Sequence, residues 1–339
     1  MNEEEKITNE VPEIVEEQKE EQLAPEIKEA DVKPNNIYYL RKDNDTPFIE
    51  TVENERKELF KFYKKTSLRN NIIMIAAVAV FVAAFILLTQ GQWGMITGWC
   101  LVGVSVVGMV LYHILTRNAY PRKSKHYFNT FWTLSNEYIF NAPEFTDCHV
   151  DFNEKYQLAE TAADRVYKDI IDIASRNLIH GFYKEKGFVY GELAFYKQGE
   201  KKRSKDVLFV GRHIALSNSL VVPEGRLLVN IRGEKEFDLP TDIEDLVELV
   251  HEDNFIIYGP EGVNAEKVLG KETIRRLKNV KVNSGLLNVN IVFWSGRTAA
   301  YLSYDDSIAA IPFQTEIKGE AYTALRSTVE EMFSILGEL

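Results

Sequence analysis

The longest apolar stretch of the chain predicts two membrane-spanning helices. From Ile72 to Leu115 the sequence carries no Asp, Glu, Lys or Arg in 44 positions. A single helix of that length would extend over about 66 Å, whereas the hydrocarbon core of a bilayer is about 30 Å thick. We therefore expect a transmembrane hairpin within 71–115, with spans at 71–88 and 93–115. A helical hairpin buried in the core of a soluble protein is the alternative.

Basic residues flank both predicted spans and are missing from the turn between them. The cations expected to contact lipid headgroups are Lys61, Lys64, Lys65, Arg69, Arg122, Lys123 and Lys125. The positive-inside rule places both flanks in the cytoplasm. Aromatic residues alternate with cations in KFYKKTSLR, which suits a segment at an anionic lipid surface. The sequence thus predicts two spans with both termini in the cytoplasm and the lipid bilayer as a partner.

Small residues at helical spacing predict close packing of the spans. Gly94 and Gly98 are separated by three residues in the second span, and the first span is rich in Ala. Because lipid provides no hydrophobic driving force between helices, small residues that let backbones approach are favoured at helix contacts. Two interpretations stay open, namely packing inside the hairpin and homo-oligomerisation through this glycine pair.

The residues before the first span divide into two segments. Residues 1–33 contain twelve acidic and four basic residues, a charge of −8 out of −11 for the whole chain. Residues 1–36 hold no aromatic residue and cannot bury enough apolar surface to offset chain entropy, which predicts a disordered acidic tail. Residues 37–70 predict a juxtamembrane amphipathic helix that starts near Thr46-Pro47.

Beyond the spans, the apolar pattern predicts a mixed domain. Residues 116–150 form a membrane-proximal segment rich in aromatic residues. Residues 151–339 predict a cytoplasmic α+β domain with a mostly antiparallel sheet and packed helices. Helices are predicted at Asn153–Asn177, in TDIEDLVELV, over GVNAEKVLGKETIRRLKNV and at Gly319–Leu336. Strands are predicted in GFVYGELAFY, DVLFVGRHIAL, GRLLVNIRG, KEFDLP, NFIIYG, LLNVNIVFW and TAAYLSY.

No motif in the sequence predicts a catalytic, cofactor or metal site. The segment GPEGVNAEKVLGKET lacks the glycine and the Ser or Thr that a phosphate-binding loop needs. Cys148 and His149 are adjacent, but no second pair lies at metal-ligand spacing. The net charge of −11 gives no reason to expect binding to nucleic acid. We therefore predict no catalytic residue, no cofactor, no metal and no nucleic-acid partner.

A block near the C-terminus resembles a family of uncharacterised bacterial membrane proteins. In NFIIYGPEGVNAEKVLGKETIRRL, the family's pattern of core residues is matched by Phe255, Tyr258, Ala265, Leu269 and Leu277. The Thr-Pro that precedes the last helix in the family is replaced by Gly270-Lys271. Members have two adjacent spans near the N-terminus and a long cytoplasmic domain of unknown function. The resemblance, which covers residues 50–335, implies this architecture in the bacterial cytoplasmic membrane and implies no site residues.

Three classes of function stay open on the sequence. The hairpin anchor, the basic and aromatic flanks and the lack of a catalytic motif favour a membrane-anchored binding or scaffold module whose partner is a protein, a second copy of the chain or the membrane surface. The alternative is a membrane-bound enzyme acting on a lipid or nucleotide, with site residues that converge only in three dimensions. A deep polar pocket would favour the enzyme, and a flat surface would favour the binding module. A transporter or channel subunit would need a polar path between the spans.

Overall fold

A computed structural model shows an α+β protein in which a helical hairpin precedes a domain built on one large sheet. The residues that it describes are 37–42, 47–116, 119–151, 154–199, 204–233, 242–280, 286–304 and 313–339. The predicted acidic tail at 1–36 and the predicted strand KEFDLP at 235–240 lie outside these residues.

Seven helices and ten strands are formed by the described residues. The helices are α1 Phe48–Leu88, α2 Gly91–Thr116, α3 Ala119–Ile139, α4 Leu158–Ala163, α5 Ala265–Leu269, α6 Lys271–Lys278 and α7 Gly319–Leu336. The strands are β1 Ile37–Tyr39, β2 Phe145–Asp151, β3 Asp172–Tyr183, β4 Lys186–Gln198, β5 Lys205–Ser217, β6 Leu227–Arg232, β7 Val247–Glu252, β8 Phe255–Gly259, β9 Leu286–Trp294 and β10 Arg297–Tyr304. All neighbouring strands pair antiparallel in the order β1-β2-β3-β4-β5-β10-β9-β6-β8-β7, which confirms the predicted sheet type.

Helices α1 and α2 form a hairpin at the predicted position. Only Thr89 and Gln90 separate them, and α2 begins at Gly91, whose φ of +87° favours glycine. Both helices contain segments long and apolar enough to cross a membrane, and only 11% and 6% of the residues in these segments are buried. A hairpin in the core of a soluble protein would bury most of these side chains, so the low burial argues against that alternative.

The first half of α1 belongs to the domain. Its buried residues there are Phe48, Val52, Glu53, Arg56 and Leu59. Glu53 and Arg56 form a buried ion pair with 2.6 Å between Glu53 Oε1 and an Arg56 terminal nitrogen. This pair binds the chain just before α7. The Ile317 N–H donates to Glu53, and the Arg56 guanidinium donates to the Phe313 carbonyl. The domain and the hairpin therefore share one helix.

The residues before α1 depart from the predicted juxtamembrane helix of 37–70. Ile37–Tyr39 is the edge strand β1, which pairs with β2, and the helix begins only at Phe48. The Tyr38 hydroxyl donates to Glu137 of α3 at 2.7 Å. The short Ile-Tyr-Tyr stretch is extended because its backbone completes the sheet and its middle side chain packs on α3.

Both faces of the sheet are covered, and the two covers differ. One face, the helix face, packs against α3, α5, α6, α7 and the first half of α1. The other face packs against residues 154–171, which we call the cover loop, through a second apolar cluster that includes Tyr156, Val166 and Tyr167. Successive residues of a central strand are buried on opposite faces, as with Ile256 and Ile257 in β8. This two-sided burial explains why several strands are apolar throughout.

The predicted helix Asn153–Asn177 is wrong over most of its length. Only α4 forms, because Arg165 and Asp169 have φ values of +52° and +57°, which a right-handed helix excludes. The chain then enters β3 at Asp172 and pairs with β4. Of the apolar residues at helical spacing in this segment, Val166 and Ile170 pack from the cover loop onto the sheet, whereas Ala162 is exposed.

Two further helix predictions need correction. In TDIEDLVELV, Val247–Glu252 forms the edge strand β7, and the acidic residues before it form ion pairs instead of starting a helix. The helix over GVNAEKVLGKETIRRLKNV is divided into α5 and α6 by Gly270, which has a φ of +82°. The helix Gly319–Leu336 and the strands β4, β5, β6, β8, β9 and β10 form as predicted, whereas β2 and β3 are not predicted by the sequence.

Two glycines lie where α1 and α2 come close together. A Cβ atom on Gly98 would lie 2.9 Å from the backbone oxygen of Ala84, and one on Gly94 would lie closer still to α1. A Cβ on Gly103 would meet no described atom within 4 Å. The small residues at 94 and 98 thus serve the contact inside the hairpin.

Replacing Gly98 with Val should lower the apparent Tm of the full chain in detergent by several degrees, because overpacking a close contact costs about 1–3 kcal/mol. The matched variant Gly103→Val should leave the apparent Tm unchanged. Thermal unfolding followed by size-exclusion chromatography measures both. A Gly98→Val variant that keeps its Tm but loses an oligomer would contradict the intramolecular contact and favour packing between chains.

Candidate functional site

The predicted headgroup residues come together around the helices where the spans end. We call this set the basic collar, and all seven members are exposed: Lys61, Lys64, Lys65, Arg69, Arg122, Lys123 and Lys125. The ammonium group of Lys123 lies 4.7 Å from the ring centroid of Phe62, so α3 contacts α1 at this level. Arg69 of α1 donates to the Tyr112 hydroxyl of α2 at 3.0 Å. The cations that precede the first span and follow the second thus lie at one level of the molecule.

A cleft of about 600 Å³ opens on the cover-loop side of the sheet. Small-molecule sites have volumes of about 300–1,000 Å³, so the cleft is of ligand size. We call it the histidine cleft, and its polar lining residues are His149, Asp151, Glu154, His180, Ser217 and Arg297. The Nε2 atom of His180 lies 2.6 Å from Glu154 Oε2, and the rings of His149 and His180 stack with centroids 5.7 Å apart. A paired imidazole and carboxylate can bind a polar ligand or transfer a proton.

Strand register brings these residues together from distant parts of the sequence. His149 of β2 lies opposite His180 of β3, and Ser217 of β5 lies opposite Arg297 of β10. Glu154 comes from the cover loop. Sequence analysis missed the cleft because it depends on pairing between strands. The only local signal was the presence of His residues in otherwise apolar strands.

Beneath the cleft, Arg297 connects to a fully buried polar network. Its guanidinium donates to Asp164 Oδ2 at 3.3 Å, and the Tyr301 hydroxyl donates to the same oxygen at 2.6 Å. His213 Nε2 lies 3.6 Å from this oxygen, and His213 Nδ1 is hydrogen-bonded to the Tyr156 hydroxyl at 2.7 Å. Asp164 and His213 are 1% and 0% exposed, so this network has no direct access to solvent.

Burial controls protonation within the network. It raises the pKa of the Tyr156 and Tyr301 phenols well above their ordinary value. It also holds the pKa of the His213 imidazole below 6.5, although the nearby Asp164 carboxyl group opposes this shift. At neutral pH, the network therefore places two protonated phenols and a neutral imidazole around one carboxyl group.

A glycine makes this arrangement sterically allowed. Gly191 of β4 lies opposite His213 in the sheet. A Cβ atom at this position would lie 2.8 Å from the ring of Tyr156. The missing side chain therefore leaves the space in which Tyr156 reaches the imidazole.

The cover loop is also fixed by ion pairs next to the network. Arg165 donates to Asp242 at 3.1 Å and to Asp245 at 2.9 Å. Arg226, which is 1% exposed, donates to the same Asp245 at 2.9 Å and lies over the ring of Trp294. These contacts hold the loop on the sheet and so position Glu154 at the edge of the cleft.

No protein family, curated protein or solved structure matches the chain. The resemblance to bacterial two-span proteins therefore stays a prediction. Among the described residues, no group of three or more His, Cys, Asp and Glu side chains is arranged to hold a metal ion. The lining of the histidine cleft presents imidazole, carboxylate and guanidinium groups.

The lowered pKa of His213 predicts a loss of stability in mild acid. Because the unfolded chain takes up a proton on His213 near its ordinary pKa of 6.5 and the folded protein does so only at lower pH, the stability contributed by neutral His213 is complete above pH 6.5. It falls as the pH drops from 6.5 toward the folded-state pKa. The apparent Tm of the full chain, measured between pH 7.5 and 5, should therefore decrease less in His213→Asn than in the parent protein.

The control is His251→Asn, which alters an exposed histidine paired with Glu248 and leaves the network intact. It should keep the parent pH dependence. An identical fall of Tm in the parent and in His213→Asn would show that His213 is not the group responsible.

Proposed function

We propose that the chain is a two-span protein of the bacterial cytoplasmic membrane whose α+β domain acts as a binding or scaffold module in the cytoplasm, with both termini on that side. The observation that carries this proposal is the continuity of α1, which supplies one half of the hairpin and part of the domain core. A shared helix fixes the domain at the membrane surface, which a module that presents a binding site there requires.

The basic collar supports the orientation. Seven exposed cations lie next to the ends of the two apolar segments, and a basic residue near an anionic surface contributes about 1 kcal/mol. The turn at the other end of the hairpin, Thr89 and Gln90, has no charge. The positive-inside rule then places the collar and the domain in the cytoplasm.

The histidine cleft is an open groove and not a deep enclosed pocket, which supports the binding role. It is of ligand size and has polar groups on its walls, and the cover loop and its network hold those groups in place. Preorganised polar groups bind with a smaller loss of conformational entropy than mobile ones. The cleft is therefore the surface at which we place a ligand or a segment of a partner protein.

Neutralising part of the collar should reduce the binding of anionic lipid. In Lys61→Gln/Lys64→Gln/Lys65→Gln, fewer phosphatidylglycerol molecules should stay bound to the full chain in native mass spectra, because three headgroup contacts are lost. A matched triple variant, Lys184→Gln/Lys267→Gln/Lys271→Gln, removes the same charge from exposed positions of the domain. Equal lipid retention by the two variants would contradict the role of the collar.

A membrane-bound enzyme that acts on a lipid or nucleotide is the second candidate. It is favoured by one observation, the pairing of His180 with Glu154 in the cleft. Phosphorus NMR of the full chain with phosphatidylglycerol and with ATP tests it. Turnover that is lost in both His180→Gln and Glu154→Gln would favour the enzyme, and unchanged substrates would favour the binding module.

A further inference from the structure

Three charged side chains lie next to one another across the helix face of the sheet. Arg176 of β3 is opposite Glu192 of β4, which is opposite Arg212 of β5. Both guanidinium groups form ion pairs with the Glu192 carboxylate. Arg212 is 8% exposed, whereas 38% of the Arg176 side chain is exposed. The row therefore extends from the interior of the domain to its surface.

A cavity of about 190 Å³ lies against this row. A single water needs only about 10–15 Å³ of such space, so the cavity has room for a larger molecule. The charged residues that line it are the three of the row, two positive and one negative. On the same face, the remaining walls come from the side chains of Ala174, Ala194, Val210 and Tyr304, and Gly211 adds backbone. The Ser175 hydroxyl and the Leu193 side chain belong to the opposite face.

A hydrogen bond that remains unmade points to an occupant. Within the part of the chain that the structure describes, the buried Nε–H of Arg212 has no hydrogen-bond partner. Buried donors without acceptors are costly, and each one in a native structure calls for a partner. Burial opposes the charge of Arg212, but Glu192 together with Tyr190, Tyr322 and Tyr304 raises the pKa of the guanidinium above its ordinary value. The cavity thus has a permanent cation with an unused donor in its wall.

We propose that this cavity binds a small organic monoanion, a carboxylate on a short apolar body, through the guanidinium groups of Arg212 and Arg176. The buried Arg212 supplies a positive charge and an Nε–H without an acceptor, and a single carboxylate on the ligand supplies both a negative charge and an acceptor. The flat fork of a guanidinium matches the two oxygens of a carboxylate, and the apolar walls match a short hydrocarbon chain. The size of the cavity excludes a nucleotide or an intact phospholipid.

The inference goes beyond the proposed binding role, since it names a ligand class for a second site in the same domain. The cavity is separate from the collar and from the histidine cleft, which share no lining residue with it. If the full chain does not bind hexanoate but retains phosphatidylglycerol as predicted, the assignment of the cavity is wrong and the lipid-binding role of the collar still holds. The reverse result would overturn the collar alone.

Hexanoate binding by the full chain in a non-ionic detergent tests the proposal, with hexanamide as the neutral analogue of the same shape. Isothermal titration calorimetry should show saturable binding of hexanoate that is at least about tenfold tighter than that of hexanamide, because the carboxylate gains charge-assisted hydrogen bonds. Inorganic phosphate should bind more weakly than hexanoate, since it leaves the apolar walls unfilled.

Two variants locate the binding site without removing the buried Arg212. Arg176→Gln removes one of the two guanidinium groups in the wall and keeps the pair of Glu192 with Arg212, and it should weaken hexanoate binding at least about tenfold. Ala174→Leu adds bulk at an exposed lining position and should block the cavity. Lys184→Gln, at the exposed turn between β3 and β4, has the same charge change as Arg176→Gln and should bind like the parent protein.

Equal affinity for hexanoate and hexanamide would overturn the proposal, and so would unchanged binding in Arg176→Gln and Ala174→Leu. Phosphate that binds as tightly as hexanoate would overturn the assigned ligand class. Circular dichroism and the apparent Tm of each variant establish that a loss of binding reflects the cavity and not unfolding.

Discussion

Helix α1 is one continuous helix that belongs to the hairpin in its second half and to the domain in its first half, and the rest of the structure depends on this continuity. Its second half has no charged residue after Asn71 and exposes most of its side chains, as a helix in contact with lipid would. Its first half buries one face in the domain and places the Glu53 and Arg56 pair in that interface. A buried ion pair is tolerated only when its remaining hydrogen bonds are made. Here the backbone at Phe313 and Ile317 makes them, which ties α7 to α1.

The two faces of the sheet carry different buried polar groups. Because side chains alternate along a strand, the adjacent residues Arg212 and His213 of β5 point to opposite faces. Arg212 belongs to the charged row under the helices, and His213 belongs to the closed network under the cover loop. Arg212 is paired with Glu192 on the neighbouring strand, and His213 is hydrogen-bonded to Tyr156 of the cover loop. The interior of this sheet is therefore held together by polar contacts as well as by apolar packing.

The sequence predicts the parts of the structure that local patterns determine. The uncharged stretch predicts the hairpin, strict alternation predicts β4 and β5, and amphipathic spacing predicts α7. Prediction fails where tertiary contacts outweigh local preference. The cover loop resembles a helix because Val166 and Ile170, which pack onto the sheet, are four residues apart. The acidic start of TDIEDLVELV resembles a helix cap, although its carboxylates pair with Arg165 and Arg226.

The candidate sites also differ in whether a local sequence pattern reveals them. The basic collar is visible in the sequence, because its residues are next to the spans. The charged row and the histidine cleft depend on strand register, which joins Arg176, Glu192 and Arg212 over 36 positions of the chain. One signal was available, since Glu192, Arg212 and His213 interrupt strands that are otherwise apolar. Charged residues in such strands are buried only when they are paired, and that fact alone singles them out.

The central claim is that one uninterrupted helix joins the hairpin to the domain, and a distance measurement tests it most directly. Spin labels are attached to Glu50→Cys and Gln90→Cys, which lie near the two ends of α1. The Cys100→Ser substitution removes the exposed native cysteine, and the remaining Cys148 is buried. Double electron–electron resonance on the full chain in lipid nanodiscs should give one narrow distribution near about 60 Å, the length of 40 helical residues. A broad distribution, or a mean distance well below this value, would show a hinge between the hairpin and the domain and would contradict the account.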